Sequence, residues 1–170
     1  MTQSAMCTDL IVTPVVGDKS RYMPLLLMGD ESADMIGRYI GRADLYVGSV
    51  GGHTVAVCAV MNDDREYMAE IKNLAVHPDW RCRGVGRMML RHVEKISRHD
   101  TFILGTGETP STLRFYKSCG YEYSHRILDF FTDNYPDPIV EEGVMLRDMI
   151  YLVKRRASKH QLKDITEHMR

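Results

Sequence analysis

The sequence predicts an α+β domain, with helices packed on a mixed, mostly antiparallel sheet. Three observations carry this. Asp44 to Val50 and Thr54 to Asn62 are β-rich runs joined through Gly51-Gly52, a pair suited to a tight hairpin turn, so the two runs are expected to pair antiparallel. After His77-Pro78 the apolar period becomes helical, with Val85, Met89, Val93 and Ile96 on one face and Arg87, Arg91, Lys95 and Arg98 on the other. The 170 residues suit one domain and are too few for two with separate cores, so these strands and helices must share one core.

The remaining elements follow in order. Leu10 to Val16 is a β-rich opening, and Asp18 and Ser20 then offer caps for a short helix carrying Tyr22, Leu25 and Leu26. Within Ser32 to Ile40, residues Met35, Ile36, Tyr39 and Ile40 share a face, and Gly41 is expected to supply a left-handed stop. A polar loop at Asp63, Asp64 and Arg65 precedes Met68 to Val76, the third strand of the meander and its expected centre. Phe102 to Thr106 reads as a buried strand, Pro110 to Cys119 as a helix closed by Gly120, and Tyr121 to His125 as a strand. Residues 127 to 143 look irregular, and Met145 to Val153 reads as the closing strand. This places a domain at 8–154 and a polar, weakly amphipathic tail at 155–170.

Composition removes several function classes. With 44% hydrophobic and 26% charged residues, the chain is neither disordered nor fibrous. A net charge of -1 supplies no global field for a polyanion, so no nucleic acid is expected as partner. The longest apolar stretch, Met23 to Met28, is far below the ~20 residues of a membrane helix. The start MTQSAMCTDL lacks a basic n-region, which predicts a cytoplasmic protein. Cys7, Cys58, Cys82 and Cys119 form no C-x-x-C pair, and the histidines show no metal spacing; His92 and His99 are assigned to a wet helix face and no metal is expected.

The most informative run is Arg81-Cys82-Arg83-Gly84-Val85-Gly86-Arg87, between a strand and an amphipathic helix. At a helix start the first N–H groups lack intrahelical partners and carry partial positive charge, so a phosphate can be held by main chain alone. From His77 to Arg98 six Lys plus Arg face two acids, a local balance of +4. No Walker string occurs, and the third position after Gly84-Val85-Gly86 is Met89, against a dinucleotide fingerprint. The plain alternative is a turn with solvated arginines.

The pattern [RQ]-x-x-G-x-[GA] after an Ala-Val strand end resembles the signature of the GNAT superfamily of acyl-CoA N-acyltransferases. The resemblance runs from about Leu10 to Val153, because Ala69-Glu70-Ile71-Lys72-Asn73-Leu74-Ala75-Val76, the glycine loop and Leu113-Arg114-Phe115-Tyr116-Lys117-Ser118-Cys119-Gly120-Tyr121 resemble three family blocks in order. It implies that the loop, Arg81 through Arg87, cradles the pyrophosphate of acetyl-CoA as co-substrate. It also implies that the backbone of Leu74, Ala75 and Val76 bonds the pantetheine arm as an added strand, one amide polarising the acyl carbonyl. The central strand is then expected to bulge, and the fourth and fifth strands to splay apart. Gly105-Thr106-Gly107 fits that splayed strand end.

The resemblance matches Glu70 to a catalytic glutamate acting as general base and Tyr116 to the tyrosine that protonates the departing thiolate. For Glu70 the alternative is an ion pair with Lys72, which favours the ionised form and works against basicity. For Tyr116 it is aromatic core beside Phe115. Where the family commonly has an asparagine that bonds the pantetheine, this chain has Thr109, with Ser111 nearby, and a hydroxyl is expected to substitute. The implied activity is transfer of acetyl to a primary amine in a ternary complex; a non-catalytic acyl-CoA-binding module is the competing reading. From Asp129 to Asp148 six acids face one Arg, and an acidic mouth would favour a cationic amine, unless it is merely a solvated loop. Phe130, Phe131 and Tyr135 are assigned to a satellite core or to substrate contact. The tail offers Leu162, Ile165 and Met169 to a homodimer or partner, with a frayed terminus as alternative.

Overall fold

The computed structural model describes residues 9–64 and 66–156. Strand β1 (Ile11–Pro14) leads through a 3₁₀ turn (Ser20–Tyr22) to α1 (Met23–Leu26) and α2 (Ala33–Ile40), and then to β2 (Asp44–Val50), β3 (His53–Asp63) and β4 (Met68–Val76). There follow α3 (Val85–Ile96), β5 (Thr101–Gly107), α4 (Pro110–Ser118), β6 (Glu122–Ile127), α5 (Phe130–Asn134), the small hairpin β7 (Val140–Glu141) and β8 (Val144–Met145), and β9 (Met149–Arg155). Seven strands form one sheet in the order β1-β2-β3-β4-β5-β9-β6, with β4 at its centre. Among the described residues β4 and β5 are its one parallel pair. The expected α+β class and mostly antiparallel sheet are found.

The β2–β3 turn works as its glycines demand: Gly51 (φ 56) and Gly52 (φ 80) are both left-handed, which a side chain would resist. Val55 through Val60 are all buried because helices cover both faces of the sheet. On one face Val85, Met89 and Val93 of α3 pack with Cys58, Val60, Phe102 and Leu152. On the other, Leu26, Ile36 and Tyr39 of α1 and α2 pack with Val57, Ala59 and Ala75.

Several expectations are corrected. Gly41 is right-handed (φ -63), since the end of α2 is closed by Lys19, whose Nζ donates to the carbonyls of Ile40 (2.9 Å) and Ala43 (2.6 Å). Ile96 is 49% exposed, and His99, placed on a wet face by its spacing, is buried with Nε2 3.3 Å from Asp64. α3 ends at Ile96, so the helical period no longer governs residue 99. Residues 127 to 143 are not irregular throughout: α5 and the β7–β8 hairpin form over a satellite core of Phe131, Ile139 and Leu146. The closing strand is Met149–Arg155, and Leu146 instead enters that satellite core. Arg155 pairs with Thr101, and the Arg156 guanidinium donates to the carbonyls of Ser97 and His99 at 2.8 Å each, so the fold extends past the expected boundary at 154. The rest of the tail, with its dimer reading, lies outside the described residues. No helix among the described residues is long and apolar enough to cross a membrane.

The feature that shapes the site is a bulge in β4. Ala59 pairs with Asn73 and Val60 with Ile71, which leaves Lys72 as an extra residue. An inserted residue shifts the side-chain alternation by one. Ile71 therefore packs in the α3 core while Asn73, two residues on, meets the α1–α2 side, where its Nδ2 donates to the Leu26 carbonyl (2.9 Å) and the Tyr39 hydroxyl (3.2 Å). Because Asn73 is buried and links α1 and α2 to the sheet, Asn73→Ala is expected to cost about 1–3 kcal/mol of stability. A fall in urea midpoint at unchanged slope checks it; a midpoint equal to the parent's contradicts it.

Candidate active site

β4 and β5 pair only from Met68 to Ile71 and from Thr101 to Leu104, then part. Beyond that point Leu74, Ala75 and Val76 stay paired with β3 on one edge and, among the described residues, have no strand on the other. The gap is a cleft of about 650 Å³, lined by these residues, by Gly105 to Gly107, by Arg81, and by Ser111 and Tyr116 of α4. An open strand edge offers unpaired amides and carbonyls to an extended ligand lying along it.

The glycine loop continues from the same edge. Cys82 (φ 58) and Gly84 (φ 81) are both left-handed and turn the chain into α3, whose N-cap is Gly84 with no side-chain cap bond. The first N–H groups of α3, from Val85, Gly86 and Arg87, consequently have no intrahelical acceptor and suit an anion. Gly86 lets α3 approach α4, because a Cβ there would stand 3.1 Å from the Phe115 ring. The three arginines divide their work. Arg81 borders the cleft and donates Nε to the Val76 carbonyl at 3.0 Å. Arg83 lies over the Trp80 ring at 5.1 Å. Arg87 donates to the carbonyl (2.7 Å) and hydroxyl (2.8 Å) of Ser118, tying α3 to the end of α4.

Tyr116 enters the cleft from α4, its ring edge-on to Phe115 and Tyr121 at 5.0 and 5.9 Å. Burial pushes its phenol up from the ordinary 10, so it stays protonated at neutral pH, as a proton donor must. Ser111 also lines the cleft and bonds the Glu142 carboxylate. Thr109 does not join them: it is 1% exposed, and its Oγ1 has no partner among the described residues. Thr109 is the N-cap of α4 without a side-chain cap bond, and it is not among the residues that line the cleft.

A second pocket of about 340 Å³ adjoins the cleft, sharing Asp30, Ile71, Lys72, Gly105, Tyr135 and Met149 with it. Glu70 lines this pocket, not the cleft. Its Oε1 accepts from Lys72 Nζ at 3.0 Å and from the Tyr151 hydroxyl at 3.3 Å, so the ion pair read from the sequence is present. Tyr151 stacks on His125 with rings 4.7 Å apart and 6° from parallel. Burial and then the neighbouring Glu70 push its phenol up to about 12. Tyr151 and Asn73 are site residues that motif reasoning missed. The one available signal was Gly105 inside a strand, which marks a close approach: it pairs with Tyr151, and a Cβ there would stand 3.1 Å from that ring and 2.5 Å from Met149 Sδ.

The acidic stretch from 129 to 148 is divided between ion pairs and the lip of the cleft. Asp129 pairs with Arg147 and Asp148 with Arg126; Glu141 and Glu142 reach the lip of the cleft, and none of the six acids lines the pocket of Glu70. Phe131 serves the satellite core, while Phe130 and Tyr135 also border the pocket.

A family model described as an acetyltransferase (GNAT) domain matches residues 41–123. The uncharacterized N-acetyltransferase YvbK of Bacillus subtilis (strain 168) is 32% identical over 132 residues, covering 75% of this chain and 84% of that protein. Among solved structures, a GNAT family acetyltransferase from Elizabethkingia anophelis with acetyl-CoA bound is 28% identical, with a TM-score of 0.82 over 88% of this chain and 100% of that one. A Bacillus subtilis acetyltransferase in complex with CoA is 28% identical, with a TM-score of 0.79 over the same shares, 88% and 100%.

Gly105→Ala is expected to force Met149 and Tyr151 away from β5 and to destabilise the protein by about 1–3 kcal/mol. Urea unfolding together with near-ultraviolet circular dichroism of the displaced ring checks this; parental values for both contradict it.

Proposed function

The chain belongs to the GNAT acetyltransferases, and from that premise we propose that it passes acetyl from acetyl-CoA to a primary amine of a small molecule or peptide, by direct attack in a ternary complex. Acetyl-CoA-dependent acetyl transfer is what the family membership carries; the amine and the residue roles are this proposal. The observation that supports it most is the junction at Ile71 and Lys72, where the cleft of Tyr116 meets the pocket of Glu70. Two cavities joined at one point suit a donor and an acceptor that must touch there.

The residues present fit the coenzyme. The open edge of Leu74, Ala75 and Val76 would hold the pantetheine, and the loop from Arg81 and Cys82 through Arg83 and Gly84, with the free amides of Val85, Gly86 and Arg87, would hold the pyrophosphate. Ser111 borders the same groove; Thr109 is left out by its burial. Bound there, acetyl-CoA supplies a thioester acyl group.

An alkylamine with a pKa near ~10.4 is only about one part in a thousand neutral at pH 7, and the neutral form attacks. Glu70 accepts the proton that the ammonium must lose, directly or through a water. The Lys72 and Tyr151 bonds both fall on Oε1 and hold the carboxylate at the pocket, which leaves Oε2 for the acceptor. As the C–N bond forms and the C–S bond breaks, Tyr116 gives its proton to the departing sulfur, the second proton of the attacking nitrogen passes through water to restore the Tyr116 phenol, and Glu70 returns the first to solvent. General acid or base work of this kind contributes about 10²- to 10⁴-fold.

Thiol release from acetyl-CoA over a panel of amines, alongside calorimetric binding of the coenzyme, tests the reading; tight binding with no turnover on any amine overturns it. Tyr116→Phe is expected to lower kcat by about 10²-fold with coenzyme affinity within about twofold of the parent. An unchanged kcat removes its acid role. Since the Tyr116 phenol is raised above 10, its acid form persists through neutrality and is lost only as pH rises past that value. The alkaline limb of the kcat profile should therefore lie above pH ~10, and a limb centred near pH 8 contradicts this assignment.

A further inference from the structure

The pocket that holds Glu70 carries an unbalanced charge. Its lining includes Arg38, Arg42 and Lys72 against Asp30 and Glu70. Lys72 is neutralised by Glu70 at 3.0 Å. Asp30 accepts from the Tyr135 hydroxyl and the Ser32 amide, both at 3.0 Å. Arg38 in the last turn of α2 and Arg42 just past its end have no ion-pair partner among the described residues, and the only side-chain bond from either there is Arg42 Nη2 to the Arg38 carbonyl at 3.2 Å. Two guanidinium groups lining one pocket make it attractive to an anion, to which each can offer bidentate geometry. Both line the pocket and neither lines the coenzyme cleft, so they sit away from the junction at which acetyl transfer is placed.

Resting on the acetyltransferase reading above, we propose that the acceptor is an amine that also bears an acidic group, a carboxylate or a phosphate, with the amine toward Glu70 and the acid toward Arg38 and Arg42. The carboxylates Glu31, Glu141 and Glu142 line the coenzyme cleft instead and would favour the opposite choice, a polycation, if the acceptor entered past them. The arginines decide because they share a pocket with Glu70, whereas those carboxylates do not.

The test uses matched amines: β-alanine against propylamine, phosphoethanolamine against ethanolamine, and putrescine as the dication, each assayed for thiol release from acetyl-CoA. The acidic amines are expected to exceed their uncharged partners and putrescine in kcat/KM by tenfold or more. In Arg38→Gln/Arg42→Gln that ratio should fall about tenfold through KM, and Arg38→Lys/Arg42→Lys should restore part of it. Preference for putrescine or for the uncharged amines, or a ratio unmoved by the glutamine pair, overturns the acidic acceptor while leaving acetyl transfer standing. Bound acetyl-CoA with no turnover on either set overturns both readings, and is told apart by that absence. Turnover on carboxylates alone, or on phosphates alone, supports the proposal and names the acid.

Discussion

The site depends on one backbone irregularity. Lys72 is the unmatched residue of β4, and the parallel pairing with β5 ends at Ile71, the residue before it. A bulge bends its strand and increases the local twist, so the two central strands part where the extra residue sits. The cleft, the open edge of Leu74 to Val76, and the reversal that sends Asn73 to the α1–α2 side all follow from that insertion. The same reversal keeps Glu70 and Lys72 beside Asn73 and Tyr39, with Lys72 Nζ 5.7 Å from the Tyr39 ring. Because Asn73 in turn holds the last turn of α1, the geometry of the cleft and the position of the first helices are mechanically joined.

Around this opening the rest of the molecule is closed firmly. Glu94 of α3 accepts from the Tyr121 hydroxyl at 3.0 Å and from Lys154 Nζ at 2.7 Å, and Lys154 also donates to the Cys119 carbonyl at 2.8 Å. With Arg87 on Ser118, these bonds tie α3, α4 and β9 together behind the glycine loop. Charged side chains with several hydrogen-bond partners are worth more than exposed pairs. On the proposed function, in which the loop presents bare amides to an anion, such a rigid backing keeps those amides in place.

Much of this was legible in the sequence where local chemistry decided the outcome. Gly51-Gly52 specified the hairpin, the period of Val85, Met89 and Val93 specified α3, and the glycines within Arg81 to Arg87 marked the turn that leads into it. What was hidden depended on distant partners. Gly41 carried a stop signal, but Lys19, more than 20 residues earlier, closed the helix instead. Thr109 occupied the expected position in the chain and yet is buried, which its residue type did not reveal. Tyr151 reaches Glu70 across 81 positions, a contact that no spacing rule can reveal. The acids from 129 to 148 formed a conspicuous composition signal, but Arg126 and Arg147 neutralise two of them.

The contact between Lys72 and Glu70 has a protective side. Lys72 is the lysine that lines both cavities at their junction, next to where an activated acyl group would sit. An amine in that place would be a competing nucleophile, and its modification would erase a positive charge from the centre of the site. Its Nζ is held by the Glu70 carboxylate at 3.0 Å, so on the proposed function a reactive thioester would meet a lysine that is already engaged rather than a loose one.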